Sequence, residues 1–139
     1  MIFSRACEYG IRAMLYLASQ PNRQPMLIRD IAAEIHLPFP FLAKVVQILA
    51  RHGLVSSQKG RGGGVSLCRA AEAITLLEVV EAIDGLDLTK RCVLGLPACS
   101  DAAPCPLHGQ WAGIREGIVR MLGEQSLAKF VAHLKREEA

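Results

Sequence analysis

The chain has 139 residues and a mass of 15.1 kDa, the size of one domain or of a small domain with an appendage. With 51% hydrophobic and 21% charged residues, disorder is excluded for most of the chain, and with only 5% aromatics the core must be Leu, Ile, Val and Ala. Charge is uneven: residues 1–69 hold nine Lys/Arg against three Asp/Glu (+6), and residues 70–139 hold seven against ten (−3). A basic half-chain suggests a nucleic-acid surface.

Apolar runs are interrupted by Arg, Glu, Gln or Gly well short of the roughly 18 residues that would span a bilayer. The N-terminal stretch carries Arg5, Glu8 and Arg12 among its apolar residues, an amphipathic pattern unlike a secretion signal. The expectation is a cytoplasmic protein with no membrane segment.

A first helix is predicted from about Ser4 to Ala18, with Ser4 as N-cap and Glu8 early in the helix. Residues 21–25, Pro-Asn-Arg-Gln-Pro, read as a loop. A second helix follows over about Ile28–Ile35, where Ile28, Ile31, Ala32 and Ile35 fall on one face. A third opens at Phe39-Pro40 and stops at Gly53, burying Leu42, Val45, Val46 and Leu49 while Ala43, Lys44, Gln47 and Arg51 face away.

The period then changes. Leu54–Gln58 and Val65–Cys68 are short strands around Lys59-Gly60-Arg61-Gly62-Gly63-Gly64, a hairpin with a basic, flexible tip. No Gly-Lys-Ser/Thr follows the glycines and they open no helix, so they are not a phosphate loop. Thr75 to Glu78 is a capping box that starts a short helix closed near Asp84-Gly85. A long helix runs from Pro106 to about Gln125. Its residues Leu107, Trp111, Ile114, Ile118, Met121 and Gln125 recur at spacings of 4 and 3, a coiled-coil-like seam suited to dimerisation. Gly109, Gly113 and Gly117 form a row that lets another backbone approach. A final helix, capped by Ser126, carries Leu127, Phe130, Val131 and Leu134 and ends in a solvated Lys-Arg-Glu-Glu run.

The expected fold is therefore mainly α with a small β-wing: a winged helix-turn-helix over 1–70, a connecting helix and cysteine-rich loop over 71–106, and a long dimerisation helix with a C-terminal helix over 107–139. A helix fits the major groove of DNA, and a basic hairpin tip fits phosphates or the minor groove. Candidate DNA contacts are Phe39, Pro40, Lys44, Gln47 and Arg51 on the third helix, and Lys59 and Arg61 on the wing. The same pattern also suits a three-helix core with a solvated basic face, or a winged helix that meets protein.

Five cysteines, Cys7, Cys68, Cys92, Cys99 and Cys105, make an odd count, which in a reducing compartment argues for metal or redox chemistry over disulfides. The last three form C-x6-C-x5-C-x2-H with His108. Structural zinc favours closer pairs, and ferredoxin spacings differ too. A Gly/Pro-rich loop with wide spacing can wrap a cluster, which is larger than one ion. Three thiolates then leave a fourth position, for which His108 and Glu8 are candidates. Inert or redox-switching thiols remain the alternative. Cys7 and Cys68 read as small buried hydrophobes, and His36, His52 and His133 as non-ligands.

The segments SRACEYGIRAMLYLA, FLAKVVQILARHGLV and GRGGGVSL, followed by the cysteine loop, resemble the Rrf-two family of bacterial transcription regulators over nearly the whole chain. The cysteine loop is similar to that of the family's cluster-binding branch. The resemblance implies a homodimer on a double-stranded DNA operator, with a 2Fe–2S or 4Fe–4S cluster held by Cys92, Cys99 and Cys105. It offers both Glu8, from the partner's first helix, and His108 as fourth ligand. Ala43 and Lys44 replace the Glu and Gln that one of the family's iron–sulfur regulators has there, so its operator does not transfer. Three functions follow: a cluster-switched DNA-binding regulator sensing redox, nitric oxide or iron–sulfur status; a cluster-free regulator with thiol or zinc sensing; and an iron–sulfur carrier whose winged helix binds protein. No catalytic set is recognisable, so the chain is not expected to be an enzyme.

Overall fold

The structure, a computed structural model, describes residues 3–20, 24–85, 94 and 105–138, with side chains through Leu134. Cys92, Cys99 and most of the loop around them lie outside the described residues, as do residues 21–23 of the first loop.

Helix α1 (Arg5–Ser19) starts where Ser4, in extended backbone, turns its hydroxyl to accept from the Cys7 N–H at 3.0 Å. Its inner face, Cys7, Gly10, Ala13 and Met14, is buried. Helix α2 (Ile28–Glu34) buries Ile31 and Ala32. It ends at His36, whose φ of +57° is left-handed; the Leu37 N–H reaches back to the Ala32 carbonyl at 2.9 Å, closing the turn as glycine does in many helix ends. The Arg12 guanidinium donates to the Ile35 carbonyl at the same end. Helix α3 (Phe39–Arg51) is entered through Pro38 and has Pro40 in its first turn, where a missing N–H costs nothing. The α2 and α3 axes turn through 118°, within the helix-turn-helix range.

Strands β1 (Val55–Gln58) and β2 (Gly64–Leu67) pair antiparallel, Val55 opposite Leu67 and Gln58 opposite Gly64. Met26 adds a third, single-residue rung: its N–H donates to the Val65 carbonyl at 2.9 Å and its carbonyl accepts from the Val65 N–H at 2.7 Å. The wing is thereby fastened to the segment that leads into α2. The capping box of α4 (Leu76–Asp84) is present in both directions, and Gly85 closes it with φ +71°. Helices α5 (His108–Glu124) and α6 (Leu127–Glu138) follow. Their junction is bridged to the start of α4, with Leu76 N–H to the Gln125 carbonyl at 3.0 Å and Leu127 N–H to the Ile74 carbonyl at 2.9 Å. The Ser126 hydroxyl accepts from the Lys129 N–H at 3.4 Å, so it caps α6 as expected.

The core gathers Met14, Ile31, Leu42, Leu49, Val65, Ile74, Val79 and Leu127, all fully buried. Each such side chain contributes about 1.5–3 kcal/mol of burial. Gly10 is the crossing point of three helices: a Cβ there would stand 2.2 Å from Ile83 Cδ1 of α4 and 3.3 Å from Val45 Cγ1 of α3. Among the described residues no single helix is long and apolar enough to cross a membrane.

Candidate DNA interface and cluster loop

On α3, Pro40, Lys44, Gln47 and Arg51 recur at spacings of 4, 3 and 4 and are all exposed, opposite the buried Leu42, Val45, Val46 and Leu49. Phe39, at the helix entry, is 50% exposed. Ala43 is half-buried beside this stripe. Beyond the last β1–β2 pair the hairpin tip exposes both Lys59 and Arg61. Its turn is closed by the Gly63 N–H on the Gly60 carbonyl at 2.9 Å, and Gly60 and Gly62 take φ of +89° and +71°, values that L side chains avoid. Every DNA contact expected from the sequence is therefore exposed, on two adjacent elements.

Two residues of this surface escaped the sequence reading. Phe41 is 41% exposed and meets Tyr9 of α1 edge-on, with centroids 5.2 Å apart. Arg29 is exposed on α2, the helix that crosses the phosphate backbone in helix-turn-helix proteins. The apolar i, i+4 pattern drew attention to the buried faces and away from both.

Cys105 is half-buried just before α5, and its carbonyl accepts from the His108 N–H at 3.0 Å. The two candidate ligands are thus one turn apart at the start of α5. Glu8 is half-buried in the first turn of α1. Among the described residues no three His, Cys, Asp or Glu side chains are grouped to hold a metal ion, so Glu8 does not complete a three-ligand set with Cys105 and His108 within one chain. The root of the loop is nevertheless tied to α1: the Asp84 carboxylate, one residue before Gly85, accepts from the Ser4 N–H at 2.9 Å and from the Ser4 hydroxyl.

Cys7 and Cys68 part company. Cys7 is 0% exposed; burial first, then the charge and hydrogen bond of Asp84 and the charge of Glu8, push its thiol up to about 12. Cys68 is exposed, which corrects its expected burial: β2 ends at Leu67 and the side chain of Cys68 falls beyond the paired register. At pH 8 iodoacetamide is expected to alkylate Cys68 and spare Cys7, whose thiolate fraction would be only about 10⁻⁴; peptide mass spectrometry reads the outcome, and equal labelling would contradict it. The proton held by Cys7 leaves stability intact below pH 9 and lowers it as pH climbs from 9 toward 12.

A helix-turn-helix with a basic wing, an exposed cationic helix face and a tethered loop defines a DNA-binding regulator of the winged-helix class. The family model described as "Rrf2: Iron-dependent Transcriptional regulator" matches residues 3–133, and the chain belongs to that family. It is 33% identical over 124 residues to the HTH-type transcriptional regulator IscR of Xenorhabdus nematophila, covering 89% of this chain and 75% of that protein. Its fold is shared with IscR of T. potens (TM-score 0.80, 21% identity, 98% of this chain and 90% of that one). It is shared equally with CymR, the global cysteine regulator of B. subtilis (TM-score 0.77, 24% identity, 94% and 96%). The protein is an Rrf2-type, DNA-binding transcriptional regulator, and regulators of this kind are not enzymes.

Proposed function

We propose that two copies of this chain bind a palindromic operator and that an iron–sulfur cluster on Cys92, Cys99 and Cys105, with Glu8 of the partner or His108 as fourth donor, switches that binding. The observation that carries the cluster is the C-x6-C-x5-C-x2-H run between α4 and α5, with its last Cys and its His one turn apart at a helix N-terminus. The donor chemistry fits: three soft thiolates and one harder ligand, in a family described as iron-dependent. When bound, the cluster supplies a redox- and ligand-exchanging centre. The chain's own part is mechanical. Asp84 holds the loop's root to the N-cap of α1, and α1 packs through Gly10 on Val45 of α3, so a change in the loop has a contiguous route to the recognition helix. Lys44 and Gln47 face base edges, and Arg51, Lys59 and Arg61 face phosphates. Leu107, Trp111, Ile114 and Met121 serve the dimer, while Ile118 of the same expected seam packs against the chain's own core.

Protein purified without oxygen is expected to be brown and to contain iron and sulfide, and Cys105→Ala to be colourless. Cluster-loaded and apo forms should differ about 5- to 150-fold in operator affinity, the usual size of such a coupling. Iron-free anaerobic protein would sink the cluster, and equal affinities would sink the switch. The same three cysteines also suit a second reading, direct thiol or zinc sensing without a cluster; colourless anaerobic protein with full DNA binding would favour that reading instead.

A further inference from the structure

We propose that Phe39 reads thymine, its ring packing on the 5-methyl group of a thymine in the major groove. The inference rests on α3 being the helix that enters that groove.

The N-terminal end of a recognition helix is the part that meets base edges. In the first two turns of α3 the exposed or half-exposed residues are Phe39, Pro40, Phe41, Ala43 and Lys44. Of these, Lys44 alone has a side chain that can hydrogen-bond, and it can only donate, which suits the O6 and N7 acceptors of guanine. The paired donor and acceptor with which Gln reads adenine enters only beyond those turns, at the exposed Gln47. The apolar feature of the major-groove edge is the thymine methyl, which apolar side chains recognise.

Phe39 is the ring placed to do so. Phe41 is committed to its edge contact with Tyr9, whereas Phe39 is half exposed and belongs neither to the core nor to the residues lining it. It is held between Pro38, with φ −64°, and Pro40, so the backbone that carries it is fixed before DNA arrives. Lys44 and Arg51 share the adjoining face, and Lys59 and Arg61 stand on the wing. That cationic surround fits a polyanion and argues against an apolar protein partner for the same patch.

The test uses the full chain. Preferred sites are selected from a random duplex pool, and the best site is resynthesised with deoxyuridine in place of thymidine, one position at a time. Affinities follow from fluorescence anisotropy. For the wild type, uracil at a contacted position in both half-sites should weaken binding about tenfold, as expected for one uncovered methyl in each half. Phe39→Ala should lose as much on the thymine duplex and then be indifferent to uracil, while Phe39→Leu should keep part of the sensitivity. A wild type indifferent to uracil at every position overturns the proposal, as would occur if the patch met protein. So does a Phe39→Ala variant as uracil-sensitive as the wild type. If the pool yields no enriched sequence, the failure lies with DNA reading by α3 itself, and the thymine proposal falls with it.

Discussion

Gly64→Ala is expected to remove about 3 kcal/mol of stability and to weaken operator binding strongly. Gly64 is buried with φ +136°, a region from which side chains are all but excluded. Its Cβ would also stand 2.5 Å from the Met26 carbonyl oxygen and 2.9 Å from the Met26 nitrogen. These are backbone atoms, so no rotamer change relieves the clash. The Met26–Val65 rung must open, and with it the attachment of the wing to the segment before α2. Gly60→Ala and Gly62→Ala are the controls: both positions have positive φ but open space around the new methyl, so each should cost about 1–2 kcal/mol and spare most binding. Urea denaturation ranks the three. Salt titration of whatever DNA binding survives in Gly64→Ala should show a shallower slope, by about 0.9 for each phosphate that Lys59 and Arg61 no longer reach. A Gly64→Ala protein as stable as Gly62→Ala would show that the rung does not anchor the wing.

What the sequence disclosed and what it withheld divide along one physical line. Ser4, the Thr75–Glu78 box, Ser126 and Gly85 were legible because a cap is decided by residues within one turn of it. The buried faces of α2 and α3 were legible because helical spacing alone places Ile31 beside Ala32 and Leu42 beside Val45 and Val46. The Met26–Val65 rung and the bridge from Ile74 and Leu76 to the α5–α6 junction join residues far apart in the chain, and no local pattern announces them. His36 in the left-handed region carries no glycine signal. Cys68 misled because a cysteine at a strand end has no periodic neighbour to fix its side. The tie from Asp84 to Ser4, across 80 residues, was equally invisible, yet it joins the loop's root to α1. In the proposed cluster site, the thiol spacing was legible outright, whereas Glu8 and His108 stand 100 residues apart in the chain and no local pattern chooses between them.

The proposed dimer seam offers the sharpest separation of roles. Sequence spacing put Leu107, Trp111, Ile114, Ile118 and Met121 on one line, and the fold divides it. Ile118 packs against the chain's own core, while Ile114 and Met121 are 55% and 54% exposed and Leu107 is 39% exposed. Gly113 and Gly117 lie beside them, and a methyl group at either position would have nothing within 4 Å, so this side of α5 is low enough for a second helix to come close. Replacing Ile114 and Met121 together by Glu should therefore leave the protomer folded and disrupt the proposed dimer. Each side chain so removed forfeits about 1.5–3 kcal/mol of burial, and in a symmetric pair four carboxylates would face one another across an apolar seam. The dimer dissociation constant should rise at least about a thousandfold, or about 4 kcal/mol, enough to give monomers at micromolar concentration in light scattering, with helical circular dichroism unchanged. Ile118→Glu should instead lower the melting temperature, because its cost falls on the protomer core. A double variant that stays dimeric would assign assembly to another face.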